Sequence, residues 1–356
     1  MRRSLPVCGC REGLLRTMAD RRARAPTILD VALEAGVSKS AVSRALLGQG
    51  EVSESVRGRV EGVAARMGYV ANAMARGLVS SRTRTIGAVL RDLTRPFYGE
   101  LYAGMQLSAE RRGYQVITVT SARELEVAGA LRTLKSLISL QVDGLVIASA
   151  RLPSEEIVPF IDRVPIVVAG RAETSPGITS VFSDDELGGR RVARHVLELG
   201  HTRIAVLLVD RAYSLSQHAC GEAMVKQIRK AGCTPLVWNL RMDADTSNTV
   251  TARIDDADVS AIMCPTDAAA VDVLEVLRLR GRFAPEDVAV TGYDGIGPLA
   301  APFFGLTTWR VPVKEIGRMS MNLLVDRIEG KTREDRLLPL KGRLITGRTA
   351  GGLSTP

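Results

Sequence analysis

One short segment of the chain carries side chains suited to reading a nucleic acid. When KSAVSRALL is drawn as a helix from residue 39, its open face holds four polar side chains: Lys39, Ser40, Ser43 and Arg44. A short cationic helix face of this kind fits the major groove of DNA, where its donors meet the edges of the bases. Since an ordinary helical hairpin also has an exposed polar side, the neighbouring residues must decide between the two interpretations.

The residues around this face predict two short helices joined by a tight turn. Thr27 and Asp30 are spaced for a capping box at the start of the first helix. Gly36 suits the left-handed residue that ends this helix, and Ser38 suits the N-cap of the second one. A third helix with an apolar stripe follows and ends at Gly68. The pattern is that of a helix-turn-helix domain.

The positive charge of the chain is concentrated around these helices. The 356 residues carry a net charge of +9, of which residues 1–85 hold +8, from 15 Lys and Arg against 7 Asp and Glu. The remaining residues hold 33 against 32 and are nearly neutral. A basic head on a neutral body is typical of nucleic-acid-binding proteins. A basic tail that only adds solubility would explain the arginines before residue 25 but not those from Arg44 to Arg76.

The composition favours a globular protein of the cytoplasm. Hydrophobic residues make up 46% and charged residues 24%, and no apolar run reaches the roughly 18 residues of a membrane helix. Five scattered cysteines favour a reducing compartment over a disulfide framework, and Cys8 and Cys10 have no nearby third ligand for a metal. Residues 1–25 are predicted to be a disordered extension, with Met18 as the true start. We therefore expect a cytoplasmic protein without a metal or other cofactor.

From Ile86 onward, short apolar runs alternate with amphipathic segments. Eight runs are predicted to be strands, among them IGAVL at 86–90 and VAVTGYD at 288–294, with helices between them. This alternation is typical of parallel sheets with right-handed crossovers. We predict two doubly wound subdomains of four strands each, with a ligand cleft at the carboxyl ends of the strands. The fold class is therefore α/β, an all-α helix-turn-helix head followed by two parallel-sheet subdomains.

Two other classes of protein could use such a body. An enzyme would need a catalytic motif, and the sequence contains no GxSxG, GxxxxGK[ST] or HExxH pattern. Its three histidines form no evident Ser/His/Asp set, so we predict no catalytic residues. A solute-binding protein outside the cytoplasm would need an export signal and would lack the helix-turn-helix segment.

From Thr27 to about Gly351, the chain resembles transcriptional regulators of the LacI/GalR family. The resemblance lies in TILDVALEAGVSKSAVSRAL at 27–46, GYVANAMARGL at 68–78 and TIGAVLRDLTRPFY at 85–98, and in ELGHTRIAVL, FAPEDVAVTGYD and GLTT further on. It implies a periplasmic-binding-protein-like body and a homodimer that acts as a repressor. Such a dimer binds a pseudo-palindromic operator in double-stranded DNA, and a small molecule in the cleft changes its affinity.

The domain boundaries follow from the composition and from this resemblance. We predict the helix-turn-helix domain at residues 26–71, a hinge helix and linker at 72–84, and the effector-binding body at 85–356. Within the body, one subdomain is predicted at about 85–182 and 309–333. The other is predicted at about 183–308 and 334–356.

The resemblance also implies which residues of the head contact DNA. Lys39 and Ser40 would chiefly read bases in the major groove, and Arg44 beside them would pair with a guanine. Phosphate contacts are expected from four further side chains: Thr27, Ser38, Ser43 and Tyr69. These contacts would fix the register of the protein without reading sequence.

By the same resemblance, the predicted hinge contributes three further residues to the DNA-binding interface. Asn72 would cap the hinge helix, and Arg76 would lie along the DNA backbone. Leu78 would wedge, together with its dimer mate, into the minor groove and kink a central step. The family usually has proline where this chain has Ala71.

Seven residues of the body occupy positions that contact the ligand in the family: Arg95, Phe97, Arg171, Asp184, His218, Thr266 and Asp294. Phe97 would stack on the ligand, while Arg171, Asp184 and Asp294 would be polar contacts. Four positions depart from the family pattern: Arg95 for asparagine, His218 for arginine, Thr266 for asparagine and Gly295 for aspartate.

These departures change the expected ligand. A hexose site needs a dense set of paired donors and acceptors, and four changes would alter most of it. Arg95 and Arg171, if close together, would suit a carboxylate or a phosphate. We therefore expect a small-molecule effector that is a sugar or a sugar-derived anion. The alternative is a cleft that has lost its ligand, in a protein that represses constitutively.

Overall fold

The structure is a computed structural model that describes residues 25–47, 51–70, 82–120, 127–148, 152–240, 246–332 and 334–352. These residues belong to two compact units, divided between Thr83 and Arg84. The predicted N-terminal extension, except for Ala25, and most of the predicted hinge lie outside the described residues. In the ranges that are described, no helix is both long and apolar enough to cross a membrane.

In the part of the first unit that the structure describes there are three helices: α1 (Ile28–Ala35), α2 (Lys39–Leu47) and α3 (Glu54–Met67). They pack around a small core to which they contribute, in turn, the fully buried side chains of Val31, Val42 and Val60. Gly36 ends α1 with a φ of +65°, a left-handed conformation that glycine adopts without a Cβ clash. The predicted helix-turn-helix head is confirmed.

Two sheets, each of six strands in the described residues, form the second unit, the body. The N-lobe sheet contains β1 (Thr85–Leu90), β2 (Gln115–Thr120), β3 (Gly144–Ala148), β4 (Ile166–Ala169), β5 (Thr179–Ser183) and β11 (Leu337–Leu340). The C-lobe sheet contains β6 (Ile204–Val209), β7 (Leu236–Leu240), β8 (Ala261–Met263), β9 (Ala289–Asp294), β10 (Thr307–Arg310) and β12 (Arg343–Ile345). Their orders are β11-β5-β4-β3-β1-β2 and β12-β10-β9-β8-β6-β7. The pairing of β10 with β12 is antiparallel and the other pairings are parallel.

Helices pack against these sheets and bury the strands. The N lobe contains α4 (Pro96–Arg111), α5 (Val127–Ser139), the single turn α6 (Ser154–Ile157) and α11 (Val313–Ile328). The C lobe contains α7 (Asp185–Glu198), α8 (Leu215–Lys230), α9 (Thr246–Thr251) and α10 (Asp267–Arg278). Because parallel strands are covered on both faces, they consist of nearly continuous apolar runs, as in the fully buried β3. The predicted α/β class is confirmed.

The structure corrects the predicted strand count and one subdomain boundary. Two sets of four strands were expected, whereas the described part of the body has twelve strands. The strands missing from the prediction are β5, β10, β11 and β12, which are only three to five residues long. Because β11 pairs with β5, Leu337–Leu340 belongs to the N lobe and not, as expected, to the other subdomain. Trp309 and Arg310 belong to the C-lobe strand β10 and not to the N lobe.

Two glycines allow α4 and α11 to approach each other closely. A Cβ atom on Gly104 would lie 2.1 Å from the carbonyl oxygen of Lys314, and one on Gly317 would lie 2.1 Å from that of Leu101. Each distance is far below a van der Waals contact, so any larger residue would push the helices apart.

Candidate DNA-binding face and ligand cleft

One side of α2 presents the predicted base-reading residues to solvent. Lys39, Ser40 and Arg44 are exposed, and Ser43 is half-buried. The Nε atom of Arg44 donates a hydrogen bond of 3.3 Å to the carbonyl oxygen of Ser40. Because this bond uses only Nε, the terminal nitrogens keep the donor fork with which arginine pairs with guanine.

Thr27 and Ser38 act as helix caps in the structure. Thr27 Oγ1 donates to Asp30 Oδ2 at 2.7 Å and accepts from the Asp30 backbone N–H at 3.4 Å, which confirms the capping box. Ser38 Oγ accepts from the Ala41 backbone N–H at 3.2 Å and lies 2.9 Å from Ser40 Oγ. A phosphate contact from either hydroxyl must therefore share the side chain with its cap.

The remaining predicted DNA contacts lie at the end of α3 and in the hinge. Tyr69 follows α3, and its half-buried ring packs against the three-helix core. Asn72, Arg76 and Leu78 lie outside the described residues, so their roles in the hinge stay predictions.

A cavity of about 470 Å³, the ligand cleft, lies between the N lobe and the C lobe of the body. Its volume is in the range of small-molecule sites. Five of the seven predicted ligand residues line it: Arg95, Phe97, Arg171, Thr266 and Asp294. The ring of Phe97 is packed edge-on against Tyr98, with centroids 5.2 Å apart, and both rings line the N-lobe side of the cleft.

Asp184 and His218 do not line the ligand cleft, and both predictions are corrected. The Asp184 carboxylate caps α7 by accepting from the Leu187 backbone N–H at 2.9 Å, and the next residue, Asp185, lines the cleft instead. His218 Nδ1 lies 2.8 Å from the carbonyl oxygen of Val209, so the imidazole is bound to the strand before its own helix. Each side chain is instead hydrogen-bonded to a backbone group nearby in the sequence.

Arg171 lines the cleft, but its guanidinium is already paired. Arg171 Nη1 lies 2.8 Å from Glu173 Oε2, and Nη2 donates to the carbonyl oxygen of Leu152 at 2.9 Å. Burial opposes ionisation of Glu173, but hydrogen bonds from Ser154 and Ser175 and the charge of Arg171 lower its pKa to about 2. The ion pair is therefore intact at neutral pH, and Glu173 already balances the charge of Arg171.

Two buried carboxyl groups on the C-lobe side have raised pKa values. Burial raises the pKa of Asp185 to about 6, although hydrogen bonds from Ser216 and Tyr293 oppose the shift. Burial also raises the pKa of Asp267 to about 6, against hydrogen bonds from Thr308 and the Gly295 backbone N–H. Both groups therefore stay protonated to a higher pH than ordinary aspartates, and a protonated carboxyl group can donate as well as accept a hydrogen bond.

Asp294 is the third carboxyl group of this acidic floor. Burial, followed by the neighbouring Asp267 and Asp185, raises its pKa well above the ordinary value, while Arg95 lowers it. Its φ of +114° is a conformation that residues with a side chain rarely adopt. Backbone strain of this kind is concentrated at functional sites, where the surrounding structure holds it in place.

Most of the other cleft residues were not predicted from the sequence, among them Arg91, Asp185, Tyr213 and Asp267. Asp267 starts α10 directly after β8, at the carboxyl end of a parallel strand, where ligands bind in folds of this kind. That position was the signal in the sequence that would have identified it. Tyr213 lies in the loop between β6 and α8, and nothing in the sequence distinguishes it from other loop tyrosines.

Comparison with known proteins gives the same picture for both units. A family model described as "Bacterial regulatory proteins, lacI family" matches residues 27–72, and one described as "Periplasmic binding protein-like domain" matches residues 193–350. The chain is 31% identical to the transcriptional regulator CelR of Thermobifida fusca, over 91% of this chain and 98% of the relative. It is 28% identical to the transcriptional repressor CytR of Escherichia coli (strain K12), over 88% and 93%.

Solved structures agree on the fold. The lac repressor dimer bound to operator and the anti-inducer ONPF superposes with a TM-score of 0.82 at 23% identity, covering 92% of this chain and all of that one. A complex of CelR with cellobiose gives a TM-score of 0.65 at 28% identity, covering 91% and 99%. These relatives are transcriptional regulators and not enzymes.

Proposed function

The chain belongs to the LacI family of bacterial regulatory proteins, and we propose that its dimer represses transcription from a pseudo-palindromic operator under the control of a ligand in the cleft. The observation that carries the proposal is the combination of an exposed, capped reading helix with a two-lobed ligand body in one chain. The protein assigned in this way acts in the cytoplasm, where the operator lies, and performs no catalytic step.

The proposed DNA contacts are divided by their chemistry. Lys39, Ser40 and Arg44 read base edges from the exposed face of α2. Four side chains hold the phosphate backbone: Thr27, Ser38, Ser43 and Tyr69. The hinge residues Asn72, Arg76 and Leu78 complete the interface, with Leu78 as the minor-groove wedge. Because a wedge must unstack one base step, the operator centre should be a step that deforms easily.

For the ligand we propose a neutral, polyhydroxylated molecule. An anion was equally favoured by the sequence, but two of the three side chains that supported it have other partners: Arg171 is paired with Glu173, and His218 is hydrogen-bonded to the Val209 carbonyl oxygen. The floor of the cleft is instead acidic, and carboxyl groups bind pairs of ligand hydroxyls well. Phe97 adds an aromatic face on which a sugar ring can pack. The relative CelR has been solved with cellobiose, a neutral sugar.

The dimer that the proposal requires has a candidate surface on the C lobe. Four large apolar side chains are exposed there: Leu279, Phe283, Phe303 and Phe304. Phe303 is 82% exposed and contacts Phe304 in an edge-to-face arrangement with centroids 5.5 Å apart. Since Phe303 and Phe304 form one exposed apolar pair, we propose that this pair contributes to the contact with the second copy.

The proposal is tested by sequencing genomic DNA fragments bound by the purified protein. We expect an inverted repeat, and we expect the same experiment with the double variant Lys39→Ala, Arg44→Ala to lose it. Calorimetry against neutral sugars, sugar phosphates and sugar acids then tests the ligand. A sugar acid that binds more tightly than every neutral sugar would overturn the ligand class. The absence of binding by the whole panel would favour constitutive repression.

A further inference from the structure

A second cavity, of about 740 Å³, lies where the chain passes between the two lobes. We name it the crossover cavity. Segments 295–297, 310–315 and 341–343 form much of its wall, and the proposed function uses none of its charged residues. Five cationic side chains line it, against two carboxylates: Arg310, Lys314, Arg318, Lys341 and Arg343 against Glu100 and Glu315.

The carboxylates of the crossover cavity already have partners. Glu315 Oε2 accepts from Arg318 Nε at 2.7 Å, and Glu100 Oε1 accepts from the Gly297 backbone N–H at 3.3 Å. Within the described residues, only Arg318 of the five cations has a salt bridge, and Arg310 interacts electrostatically with Asp267. The other three cations, Lys314, Lys341 and Arg343, have no ion-pair partner there. The cavity therefore carries an uncompensated positive charge.

Two of these cations face each other across a strand pair. Arg310 on β10 and Arg343 on β12 are register partners in the antiparallel ladder. Like charges directly opposite each other on a sheet repel and destabilise the pairing. An anion held between the two guanidinium groups would replace this repulsion by attraction, because an arginine fork matches the oxygens of a phosphate.

We propose that the crossover cavity binds a phosphate-bearing small molecule, held by Arg310, Lys341 and Arg343. The volume is in the range of small-molecule sites, and three separate segments of the chain form the wall. This site is distinct from the acidic ligand cleft: the cavity would bind an anion, whereas the ligand proposed for the cleft is neutral.

A short chain of hydrogen bonds connects the two sites. Arg310 Nε donates to the Gly295 carbonyl oxygen at 2.8 Å, and the Gly295 N–H donates to Asp267 Oδ2 at 2.8 Å. Asp267 lies in the ligand cleft, and Ile296 and Val311 line both cavities. An anion that shifts Arg310 thus acts on the cleft, and by linkage a cleft ligand acts equally on the anion. This coupling depends on the proposed function, because it requires a ligand in the cleft. The anion site itself does not depend on that proposal.

Calorimetric titration of the full chain with pyrophosphate and inorganic phosphate, at constant ionic strength, tests the anion site. We expect one pyrophosphate per chain, bound more tightly than phosphate. Lys341→Gln and Arg343→Gln should each weaken pyrophosphate binding by about tenfold, the size of one lost charge-assisted hydrogen bond. The matched control is Lys226→Gln, which removes one charge from the exposed face of α8 and should leave the affinity unchanged.

Three results would overturn the anion site: no binding by the unmodified chain, an equal loss in Lys226→Gln, or a selective loss in Arg95→Gln, which would place the anion in the cleft. Because unfolding midpoints of the variants are measured alongside, a folding defect is distinguished from a lost contact. Operator DNA and the cleft ligand are absent from the titration, so a negative result leaves the proposed function untouched.

Discussion

Arg95 Nη2 donates a hydrogen bond of 2.9 Å to the hydroxyl oxygen of Tyr213, and this bond joins the two lobes at the ligand cleft. The guanidinium of Arg91 lies over the same ring, 4.4 Å from its centroid, and Arg91 Nη1 donates to the Tyr213 carbonyl oxygen at 3.4 Å. Both arginines belong to the N lobe and Tyr213 to the C lobe. We call these three contacts the Tyr213 latch, which favours the closed cleft.

Weakening the Tyr213 latch should open the cleft without any ligand present. Tyr213→Phe removes only the bond to Arg95, worth about 1 kcal/mol, whereas Tyr213→Ala also removes the ring under Arg91 and keeps only the bond to the main-chain carbonyl oxygen. We expect hydrogen–deuterium exchange of residues 91–99 and 210–217 to accelerate slightly in the first variant and strongly in the second. Tyr102→Phe is the control, since Tyr102 bonds Gln106 within α4 and lies outside the cleft lining. If the unmodified chain and the three variants exchanged at equal rates, the Tyr213 latch would not stabilise the closed cleft.

Protonation of Asp185 and Asp267 should stabilise the C lobe. Burial raises both pKa values from 3.8 to about 6, so each group favours the folded state when neutral. The free energy of unfolding should therefore fall as the pH rises from about 4 to about 6, by up to about 3 kcal/mol for a group shifted by two units. Urea unfolding at several pH values, followed by the fluorescence of the buried Trp238 and Trp309, measures this dependence.

Paired variants separate this effect from the general titration of the surface. Asp185→Asn has no carboxyl group to ionise, so the fall in stability between pH 4 and 6 should be smaller than in the unmodified chain. Asp162→Asn changes an exposed carboxyl group and should leave the pH dependence as it was. The assignment fails if the two variants have the same pH profile.

Substitutions on the reading face should change sequence preference, and a phosphate contact should not. Lys39→Ala and Ser40→Ala should each relax selection at one half-site position, by about 1–3 kcal/mol. Tyr69→Phe should weaken all sites alike, because a phosphate contact carries no sequence information. Selection from random DNA followed by sequencing distinguishes the two outcomes. Glu61→Gln, on the exposed side of α3, serves as the control. If Lys39→Ala lowered the affinity for all sites equally, Lys39 would be a contact to the DNA phosphates and not to the bases.

Adding one methyl group between α4 and α11 should destabilise the N lobe. Gly104→Ala places a Cβ 2.1 Å from the Lys314 carbonyl oxygen, so the helices must separate, at a cost of about 1–3 kcal/mol or more. Gly99→Ala is the matched control in the same helix, since its Cβ meets nothing within 4 Å. Alanine there should be neutral or stabilising by up to about 1 kcal/mol. Scanning calorimetry compares the two, and similar melting temperatures would contradict the packing argument.

Local rules predicted the head of the molecule well, because its helix ends are determined within a few residues. The capping box of Thr27 and Asp30, the left-handed Gly36 and the cap at Ser38 all involve neighbours in sequence. The body was predicted less completely. Its missed strands are short, and β12, with the sequence RLI, becomes a strand only because β10 lies beside it.

In the ligand cleft too, neighbours in sequence do not determine the role of single residues. Asp184 and Asp185 are adjacent carboxylates at the start of α7, and either could cap the helix by sequence alone. Which of them faces the cleft depends on Ser216 and Tyr293, which bond Asp185 from distant parts of the chain. Likewise, Arg171 has the charge expected of an anion contact, but its partner Glu173 is identified only by the fold.

The position of β11 has a consequence for how the protein is made. The N-lobe sheet begins at Thr85, yet its outer strand, Leu337–Leu340, comes after the whole sequence of β6 to β10. On the ribosome, β5 therefore emerges with one side unpaired and stays so until more than 150 further residues have been added. An unpaired strand edge attracts other chains. Nascent chains that stall before residue 337 should thus be the form of this protein that most needs a chaperone.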